Sequence, residues 1–257
     1  MEILEFKINS ARLQHVITEE YTRLACDLSA RFHFVTGWEL AEIVEYDLNL
    51  LKTLPSGAVQ RFAGVGNPFA MGYPQSGEQV LDIGSGAGMD ALIAAKKVGH
   101  TGRVTGVDLT PHMVRVAGNH ASEAELTHLT FMRGDAAQLP LDDDSVDLII
   151  SNGVINLCPD KEPVFREMHR VLKPGGRIQI ADVVLDSPVG MRSKERVHLW
   201  TNCVAGGLLM FDYRDLLMEA GFKEVVFEAC YNVFGPAPVA SSALKYGAMG
   251  WNIRAHI

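Results

Sequence analysis

The sequence lacks the features that mark a disulfide-stabilised, nucleic-acid-binding or membrane-spanning protein. Only four cysteines occur in 257 residues, with no C-x-x-C pair, so we expect neither a disulfide framework nor a metal site. The formal net charge is −8 and no five basic residues stand in a row, which argues against nucleic acid and anionic membranes as partners. No apolar run approaches the roughly 18 residues of a membrane span, and the opening "MEILEFKINS" lacks the pattern of a signal peptide. These absences leave a small molecule as the expected partner and the cytoplasm as the expected location.

What is present is the composition of an ordinary globular α/β protein. Hydrophobic residues make up 47% of the chain and charged residues 21%, which is enough apolar material for a core of normal size. Residues 1–60 carry two helical patterns, at 18–32 and 38–54, and predict a helical cap. From residue 79 onward, short apolar runs alternate with helical patterns, which is typical of a doubly wound, mostly parallel sheet. We therefore predict a cap at 1–60 and one compact domain at 61–257.

Several element boundaries carry recognisable signals. Thr110, which stands before a proline, predicts a helix N-cap, and Pro174 with the two glycines after it predicts the end of a helix. Later in the chain we expect two helices, one near 191–204 and one at 212–220 that Asp212 caps, and two strands, at 224–234 and 245–255.

The strongest chemical signal is the stretch "VLDIGSGAGMDAL", in which three glycines spaced as G-x-G-x-G join a short strand to a helix. Gly84, Gly86 and Gly88 let the backbone turn sharply and let a ligand approach main-chain N–H groups. A tight strand-to-helix turn needs glycine for structural reasons alone, so this loop is weak evidence by itself. Asp108 ends the next strand, where a carboxylate accepts both hydroxyl groups of a ribose. Together they predict a nucleotide site, to which we add the adjacent Leu109.

Two further carboxylates favour S-adenosylmethionine over a dinucleotide. The pattern G-x-G-x-x-G would need a glycine in place of Met89, and Asp82 before the loop would repel a pyrophosphate. The carboxylate of Asp82 instead suits an α-ammonium group. Asp135 follows a third strand, where it accepts a hydrogen bond from the exocyclic amine of adenine; its alternative role is a helix cap. We add the neighbouring Ala136 to the predicted cofactor contacts.

At these motifs the chain resembles the class I S-adenosylmethionine-dependent methyltransferases, through "VLDIGSGAG", "VTGVD", "GDAAQLP", "VDLIISN" and "RVLKPGGRI". Within that superfamily, "GVGNPF", "SNGVINLCPDKEPVFREMHRVLKPGG", "CVAG" and "DYRDLLMEAGF" resemble the arsenite methyltransferase branch. The resemblance implies a seven-stranded sheet whose last strand is antiparallel, with the cofactor across the carboxyl ends of the strands and S-adenosylhomocysteine as its product. It also places Asn152 and Gly153 beneath the methyl group, where small residues leave room for the sulfonium and the nucleophile. A plain turn at this strand end is the alternative.

The chain departs from the arsenite branch at its cysteines. Members of that branch bind As(III) through cysteine thiolates, which suit a soft, thiophilic centre. Val65 and Gly153 stand where two of the usual cysteines would be, and only Cys203 is in place. Cys158 on the same loop as Gly153, and Cys26 in the cap, are the thiols that would have to replace them. We expect Val65, Gly153, Cys158 and Cys203 to line the acceptor site.

The residues that would handle the acceptor are less well marked. His198 and Asn202 lie four apart, on one helical face beside Cys203, and are expected to wall the acceptor pocket. The candidate catalytic residues are His198, Asn152 and Asp182. Methyl transfer from a sulfonium mainly needs proximity and a dry site, so a base is optional. Further candidates, each with a structural role in the core as the alternative, are His33, Trp200, Phe62 and Phe69.

The sequence thus supports three functions. The first is S-adenosylmethionine-dependent methylation of a small molecule by in-line displacement, without arsenic chelation; the acceptor atom is carbon, nitrogen, oxygen or sulfur. The second is arsenite or thiol methylation with relocated cysteines. The third is a protein that binds S-adenosylmethionine without transferring its methyl group. The first two differ in whether two sulfur atoms among Cys26, Cys158 and Cys203 lie close together near the sulfonium.

Overall fold

The computed structural model describes residues 9–30, 32–190, 200 and 203–257, and a single sheet organises them. The strands are β1 Gln79–Ile83, β2 Arg103–Asp108, β3 Leu129–Arg133, β4 Val146–Asn152, β5 Leu172–Leu185, β6 Leu208–Leu209, β7 Lys223–Tyr231 and β8 Met249–His256. The helices are α1 Ser10–Cys26, α2 Gly37–Ile43, α3 Leu48–Leu51, α4 Ser56–Gln60, α5 Met89–Val98, α6 Pro111–Glu123, α7 Glu162–Val171, α8 Met210–Glu219 and α9 Ala240–Tyr246. Within this described part of the chain, no helix has the length and apolar character needed to cross a membrane.

The sheet has the strand order β3-β2-β1-β4-β5-β8-β7, with the two-residue β6 paired beside β5. β8 runs antiparallel to both of its neighbours, whereas the other pairs are parallel. This confirms the predicted doubly wound, mostly parallel sheet of seven strands, to which β6 adds a short eighth. The order reverses between β1 and β4, and Ile83 at the end of β1 pairs with Val107 of β2 and Ser151 of β4. Three strand ends therefore meet at this switch point, which is where open α/β sheets bind ligands.

The core lies on both faces of the sheet because side chains alternate along each strand. On one face, Val80 of β1 belongs to the same hydrophobic cluster as Leu92 of α5. On the other face, Leu81 belongs to a cluster with Phe165 of α7. Asp82 has the same parity along β1 as Val80, so its carboxylate faces the side on which α5 lies.

The cap helices share their core with the sheet. Leu13 of α1, Leu40 of α2 and Leu51 of α3 are at most 2% exposed and lie in one hydrophobic cluster with Val80 and Leu92. Burying a side chain of this size contributes roughly 2 kcal/mol. The division of the chain into a cap at 1–60 and a domain at 61–257 stays a prediction.

Helix boundaries in the cap differ from the predicted ones. α1 begins at residue 10, because the Asn9 side chain accepts a hydrogen bond from the Arg12 N–H at 2.9 Å and caps the helix. The pattern predicted as one helix at 38–54 splits into α2 and α3. Glu45 between them has a left-handed backbone, with a φ of 60°, and Asp47 caps α3. A polar residue that turns the chain here outweighs the continuous apolar spacing.

Boundaries in the second half of the chain also shift. α7 ends at Val171, and Pro174 lies inside β5 rather than directly after the helix. Asp212 lies in the first turn of α8, whose N-cap is Leu209. Thr110 has the extended backbone of an N-cap, but its side chain makes no capping bond.

The last predicted strands are shorter than expected. β7 ends at residue 231, and β8 begins at residue 249 because residues 245 and 246 complete α9. The helix predicted near 191–204 falls largely outside the described residues.

Candidate active site

A cavity of about 210 Å³ opens at the carboxyl ends of β1, β2 and β4. Its described lining combines the glycine turn, the strand ends, segment 61–64 and one face of α1. The α1 residues recur at three- and four-residue steps, which places them on one side of the helix: Gln14, Ile17, Tyr21 and Leu24. α1 therefore covers the cavity that the sheet opens.

The glycine turn meets the cavity with main-chain atoms. Gly84 and Gly86 line it in left-handed conformations, with φ of 70° and 52°. A Cβ at Gly84 would collide with Val154, whereas one at Gly86 would meet nothing nearer than 4.0 Å. A ligand can therefore approach the backbone beside Gly86. Gly88 is not among the described lining residues; it precedes α5 with a φ of 92° and packs against Phe131.

Asp82 carries a buried acceptor that no donor satisfies. It lines the cavity, is 2% exposed, and its Oδ2 has no hydrogen-bond partner among the described residues. Burial raises the pKa of Asp82 well above its ordinary value, and the neighbouring carboxylates of Asp90 and Asp108 raise it further. Such an acceptor is costly until a donor meets it, and a cation offsets the burial best. Asp82 therefore fits an α-ammonium group.

Asp108 ties the glycine turn to the end of β2. Its Oδ2 accepts a hydrogen bond from the Gly86 N–H at 2.9 Å, and its Oδ1 accepts one from the Thr110 N–H at 2.7 Å. Burial raises the pKa of Asp108, and these two hydrogen bonds lower it. Because each carboxylate oxygen has a second lone pair, Asp108 can hold ribose hydroxyl groups while it fixes the turn. The adjacent Leu109 also lines the cavity.

Asp135 and Ala136 line the cavity just beyond β3. The Asp135 Oδ2 accepts a hydrogen bond from Gln14 Nε2 at 3.0 Å, and its Oδ1 accepts one from the Ala137 N–H at 2.9 Å. The Gln14 contact depends on how α1 packs across the cavity, so no local sequence motif predicts it. It joins the cap helix to the predicted adenine position.

Asn152 lines the cavity, but its amide is engaged within the protein. Its Oδ1 accepts hydrogen bonds from the N–H groups of Val65 and Gly66, at 2.7 and 3.2 Å. Its Nδ2 lies 2.9 Å from the Gly66 carbonyl oxygen and 3.2 Å from both the Tyr46 hydroxyl and Asp90 Oδ2. The Tyr46 hydroxyl also donates to Asp90 Oδ1, at 2.6 Å, and burial raises the pKa of Asp90 to about 6. Asn152 therefore holds the loop beside the cavity in place, a positioning role where the sequence predicts a catalytic one.

The two positions that carry no cysteine lie side by side. An added Cβ at Gly153 would lie 3.5 Å from Val65 Cγ1 and 3.6 Å from the Ala63 carbonyl oxygen. Gly153 lines the cavity, whereas Val65 is 4% exposed and packs behind it in the core. Two cysteines here would be neighbours, so the natural residues leave this corner of the cavity without sulfur.

The cysteines that are present are scattered. Cys158 lines the cavity, and its Sγ donates a hydrogen bond to the Val154 carbonyl at 3.6 Å. Cys203 is buried outside the described lining, and Cys26 and Cys230 are exposed. Burial raises the pKa of both Cys158 and Cys203 to about 12. Over the described ranges, no three His, Cys, Asp or Glu side chains are grouped so as to hold a metal ion.

Asp182 does not reach the cavity. β5 continues to residue 185, so Asp182 lies inside the strand rather than at its end, and it is 1% exposed. Its Oδ1 accepts a hydrogen bond from the Asn156 N–H at 3.2 Å, and its Oδ2 accepts one from the Tyr213 hydroxyl at 3.1 Å. Burial raises the pKa of Asp182 to about 6. These contacts give it a structural role, and the other two acceptor candidates, His198 and Asn202, lie outside the described residues.

Of the described aromatic and histidine candidates, one lines the cavity and three do not. Phe62 lines the cavity. His33 Nδ1 lies 3.6 Å from Glu20 Oε1, Trp200 is 5% exposed, and Phe69 packs in the core at 6% exposed. None of these three is among the described lining residues.

Two lining residues carry no sequence signal of their own. Tyr21 comes from α1 and Arg61 from the segment after α4. Burial raises the pKa of Tyr21 well above its ordinary value, so its hydroxyl stays protonated and can donate a hydrogen bond. Both residues reach the cavity through the packing of the cap, which sequence spacing does not report.

The described residues fit S-adenosylmethionine in charge and in position. The cofactor carries a sulfonium and an ammonium group, and the described lining contains five carboxylates: Asp82, Asp90, Asp108, Asp135 and Asp160. The unsatisfied Asp82 Oδ2 and the open space beside Gly86 are places where the cofactor would complete the site. Asp82 would hold the ammonium, Asp108 the ribose and Asp135 the adenine amine.

Comparison with known proteins agrees with this fit. A protein-family model described as a methyltransferase domain matches residues 74–229. The arsenite methyltransferase of Halobacterium salinarum is 40% identical to the chain over 185 residues, which is 72% of this chain and 47% of that protein. The demethylmenaquinone methyltransferase of Listeria monocytogenes is 36% identical over 108 residues, which is 42% of this chain and 46% of that protein. The chain thus spans about half the length of the curated relatives it matches.

A solved structure shows the same relationship in three dimensions. The arsenic(III) S-adenosylmethionine methyltransferase from Chlamydomonas reinhardtii matches this chain with a TM-score of 0.70 and 34% sequence identity. The match covers 81% of this chain and 72% of that chain.

Proposed function

The chain belongs to the methyltransferase family, as a class I S-adenosylmethionine-dependent enzyme of the arsenite methyltransferase branch, and we propose that its acceptor is a small organic molecule rather than arsenite. The acceptor would receive the methyl group by in-line displacement at the sulfonium. The observation that carries the proposal is the contact between positions 65 and 153. Gly153 lines the cavity, Val65 lies directly behind it, and neither has a sulfur atom.

Arsenic chelation requires several thiolates that converge on one atom. Of the described cysteines only Cys158 lines the cavity, and a single thiolate does not chelate arsenic as two or three do. Its pKa of about 12 means that the thiol is protonated at neutral pH. Binding a metalloid there would have to remove a proton that burial holds in place.

The side of the cavity that carries Asp82, Asp108 and Asp135 would bind the cofactor and orient it for methyl transfer. When bound, S-adenosylmethionine supplies an electrophilic methyl group on its sulfonium. Asp82, Asp108 and Asp135 would accept hydrogen bonds from three separate parts of the ligand, which fixes its direction in the cavity. Ile17 and Leu24 of α1 line the same space, and their apolar side chains would help to keep water out of it.

Among the described residues, the part of the cavity beside Gly153 is apolar, although the exposed Asp160 also belongs to the lining. Beside Gly153 the described lining includes Ala63, Val154 and Leu157. Tyr21 stays a neutral phenol and suits a hydrogen-bond donor, and Asp182 lies outside the lining. We therefore expect an apolar acceptor whose carbon, nitrogen, oxygen or sulfur nucleophile needs no proton removed by these residues. The demethylmenaquinone methyltransferase among the relatives has an organic acceptor in its name.

A second candidate is methylation of arsenite or of a thiol. Its support is the identity of 40% to an arsenite methyltransferase and the place of Cys158 in the cavity. The non-catalytic alternative raised by the sequence is not retained, because the matching family is one of methyltransferases. The cytoplasmic location stays a prediction.

The experiment that tests the proposal measures S-adenosylhomocysteine released from S-adenosylmethionine with different acceptors. One arm contains arsenite and glutathione, and the others contain quinols, phenols, amines and thiols. We expect release above background with an organic acceptor and none with arsenite. Asp82→Asn, which removes the charged acceptor for the cofactor, is the matched control for turnover in this cavity. Arsenite-dependent release that disappears in Cys158→Ser would overturn the proposal in favour of the second candidate.

A further inference from the structure

Arg61 is the one lysine or arginine among the described residues that line the cavity. The same lining contains five carboxyl groups, so acidic side chains outnumber this one basic side chain in the cavity. An arginine in such a place attracts the negative part of a ligand. S-adenosylmethionine has a single negative group, the α-carboxylate of its amino-acid end.

The Arg61 guanidinium is held by neutral acceptors. Its Nε donates to the Ala25 carbonyl at 2.9 Å, and its Nη1 donates to the Gly57 carbonyl at 3.1 Å. Within the described part of the chain, no carboxylate forms an ion pair with it. A guanidinium has five N–H donors and keeps its charge, so these two bonds orient the group and leave donors over. Burial lowers the pKa of Arg61, against a smaller opposing effect of the nearby Cys26 thiol.

Two contacts relate the Arg61 guanidinium to the glycine turn, by way of His120. An added Cβ at Gly57 would lie 3.1 Å from Arg61 Nη1 and 2.6 Å from His120 Nε2, so both side chains border the same spot. The Nδ1 of His120 in turn lies 2.9 Å from the carbonyl oxygen of Ala87, inside the glycine turn. Ala25, which accepts the Arg61 hydrogen bond, shares a small hydrophobic cluster with Ala87.

The glycine turn leads into the N-terminal end of α5. Ala87 stands two residues before Met89, where this ten-residue helix begins. The positive end of the helix dipole favours an anion there. Asp82 also borders the glycine turn, and its unsatisfied Oδ2 suits the ammonium. Since the ammonium and the carboxylate of an amino acid share one carbon atom, their two partners have to flank one point in the cavity.

We propose that Arg61 binds the α-carboxylate of S-adenosylmethionine, opposite the ammonium held by Asp82. The inference rests on the cofactor-binding role of the cavity and assigns a residue that lies outside every motif in the sequence. Arg61 acts here as a binding residue that sets the direction of the amino-acid end. The hydrogen bonds to Ala25 and Gly57 fix its guanidinium before the cofactor arrives.

The test is a calorimetric binding cycle with two ligands, S-adenosylmethionine and its decarboxylated form, which keeps the ammonium and the sulfonium. Wild type is compared with Arg61→Gln, whose amide still donates to a carbonyl. Arg166→Gln is the matched control, since it removes one positive charge from a side chain that is 62% exposed on α7. We expect Arg61→Gln to lose roughly tenfold to hundredfold in affinity for S-adenosylmethionine and less than about twofold for the decarboxylated ligand.

Equal losses for both ligands would overturn the proposal, because they would show that Arg61 only supports the fold. Unchanged affinity for both would overturn it as well. If Arg61→Gln fails to fold, Arg61→Lys replaces it in the same cycle, and a smaller loss confined to S-adenosylmethionine is expected. If the wild-type protein binds neither ligand, the cavity is not a cofactor site and the proposed function fails as well. If the wild type binds both ligands, the results for the variants test the Arg61 assignment alone.

Discussion

Replacing Val65 and Gly153 together by cysteine should create a trivalent-arsenic site that the natural chain lacks. The Cγ1 of Val65 lies 3.5 Å from the position of an added Cβ at Gly153, and a sulfur at position 65 takes the place of such a methyl group. The main chain at both positions is held independently of their side chains. The Val65 N–H donates to Asn152 Oδ1 at 2.7 Å, and the Gly153 N–H donates to the Ala181 carbonyl at 2.8 Å.

The cost of the double substitution can be worked from the structure. Gly153 has a φ of 73°, and a side chain in that left-handed region costs roughly 1–2 kcal/mol. Val65 is 4% exposed, and trimming it to cysteine costs about 1 kcal/mol. The sum of roughly 2–3 kcal/mol corresponds to a melting temperature about 4–12 °C lower for a domain of this size. Two thiols that engage one arsenic atom should bind it about 10²–10⁴ times more tightly than either alone.

The assay is a titration with phenylarsine oxide, followed by native mass spectrometry, with S-adenosylhomocysteine and a phosphine reductant present. The single variants Val65→Cys and Gly153→Cys are the matched controls. The double variant should retain one arsenical at concentrations where neither single variant does. A double variant that binds no more tightly than the better single variant would refute the account of this corner of the cavity.

Asp82→Asn should weaken binding of S-adenosylmethionine by roughly 1.5–3 kcal/mol, because it removes the charged acceptor for the ammonium; calorimetry measures this, with 5′-methylthioadenosine as the control ligand that has no ammonium. Asp108→Ala should weaken binding by roughly 1–3 kcal/mol in the same assay, and 5′-methylthioadenosine should lose as much, because both ligands carry the ribose. For Asp182 the folded-state pKa of about 6 lies above the ordinary 3.8, so the folded protein holds the extra proton and its unfolding free energy falls as pH rises from about 4 to 6. Urea denaturation should show that Asp182→Asn removes a fall of roughly 3 kcal/mol across that window.

For each of these three predictions, one result would contradict it. Equal losses for both ligands in Asp82→Asn would contradict the ammonium contact. Unchanged affinity in Asp108→Ala would remove the ribose contact. Parallel urea curves for wild type and Asp182→Asn between pH 4 and 6 would show that burial does not hold a proton on that carboxylate.

The sheet and the cofactor side of the cavity follow from local sequence patterns. Short apolar runs that alternate with helical patterns predict the parallel order, and a carboxylate or glycine at a strand end lies where parallel strands deliver it. Asp82, Gly86, Asp108 and Asp135 line the cavity for that reason, since each is fixed by its own strand and turn.

The residues that depend on packing between distant segments are not predictable in this way. Gln14, Tyr21 and Arg61 reach the cavity only because the cap folds across it. Asn152 illustrates the same limit, since spacing places it at the strand end but does not reveal that its amide is taken up by Tyr46, Asp90 and the loop at 65–66.

Strand length sets a second limit on sequence-based assignment. The sequence makes Asp182 a catalytic candidate, but β5 runs on past it to residue 185 and buries it. In the sequence, apolar residues that follow a carboxylate are consistent both with a strand that continues and with the start of a new segment. Only its pairing with β8, which includes Asp182 opposite Trp251, decides between them.

Native mass spectrometry of the wild-type protein, mixed with S-adenosylhomocysteine, arsenite and a phosphine reductant, tests the central claim most directly because it reports both halves of the cavity at once. The account predicts a complex that carries one S-adenosylhomocysteine and no arsenic. A complex that carries both, and that loses the arsenic in Cys158→Ser, would contradict it.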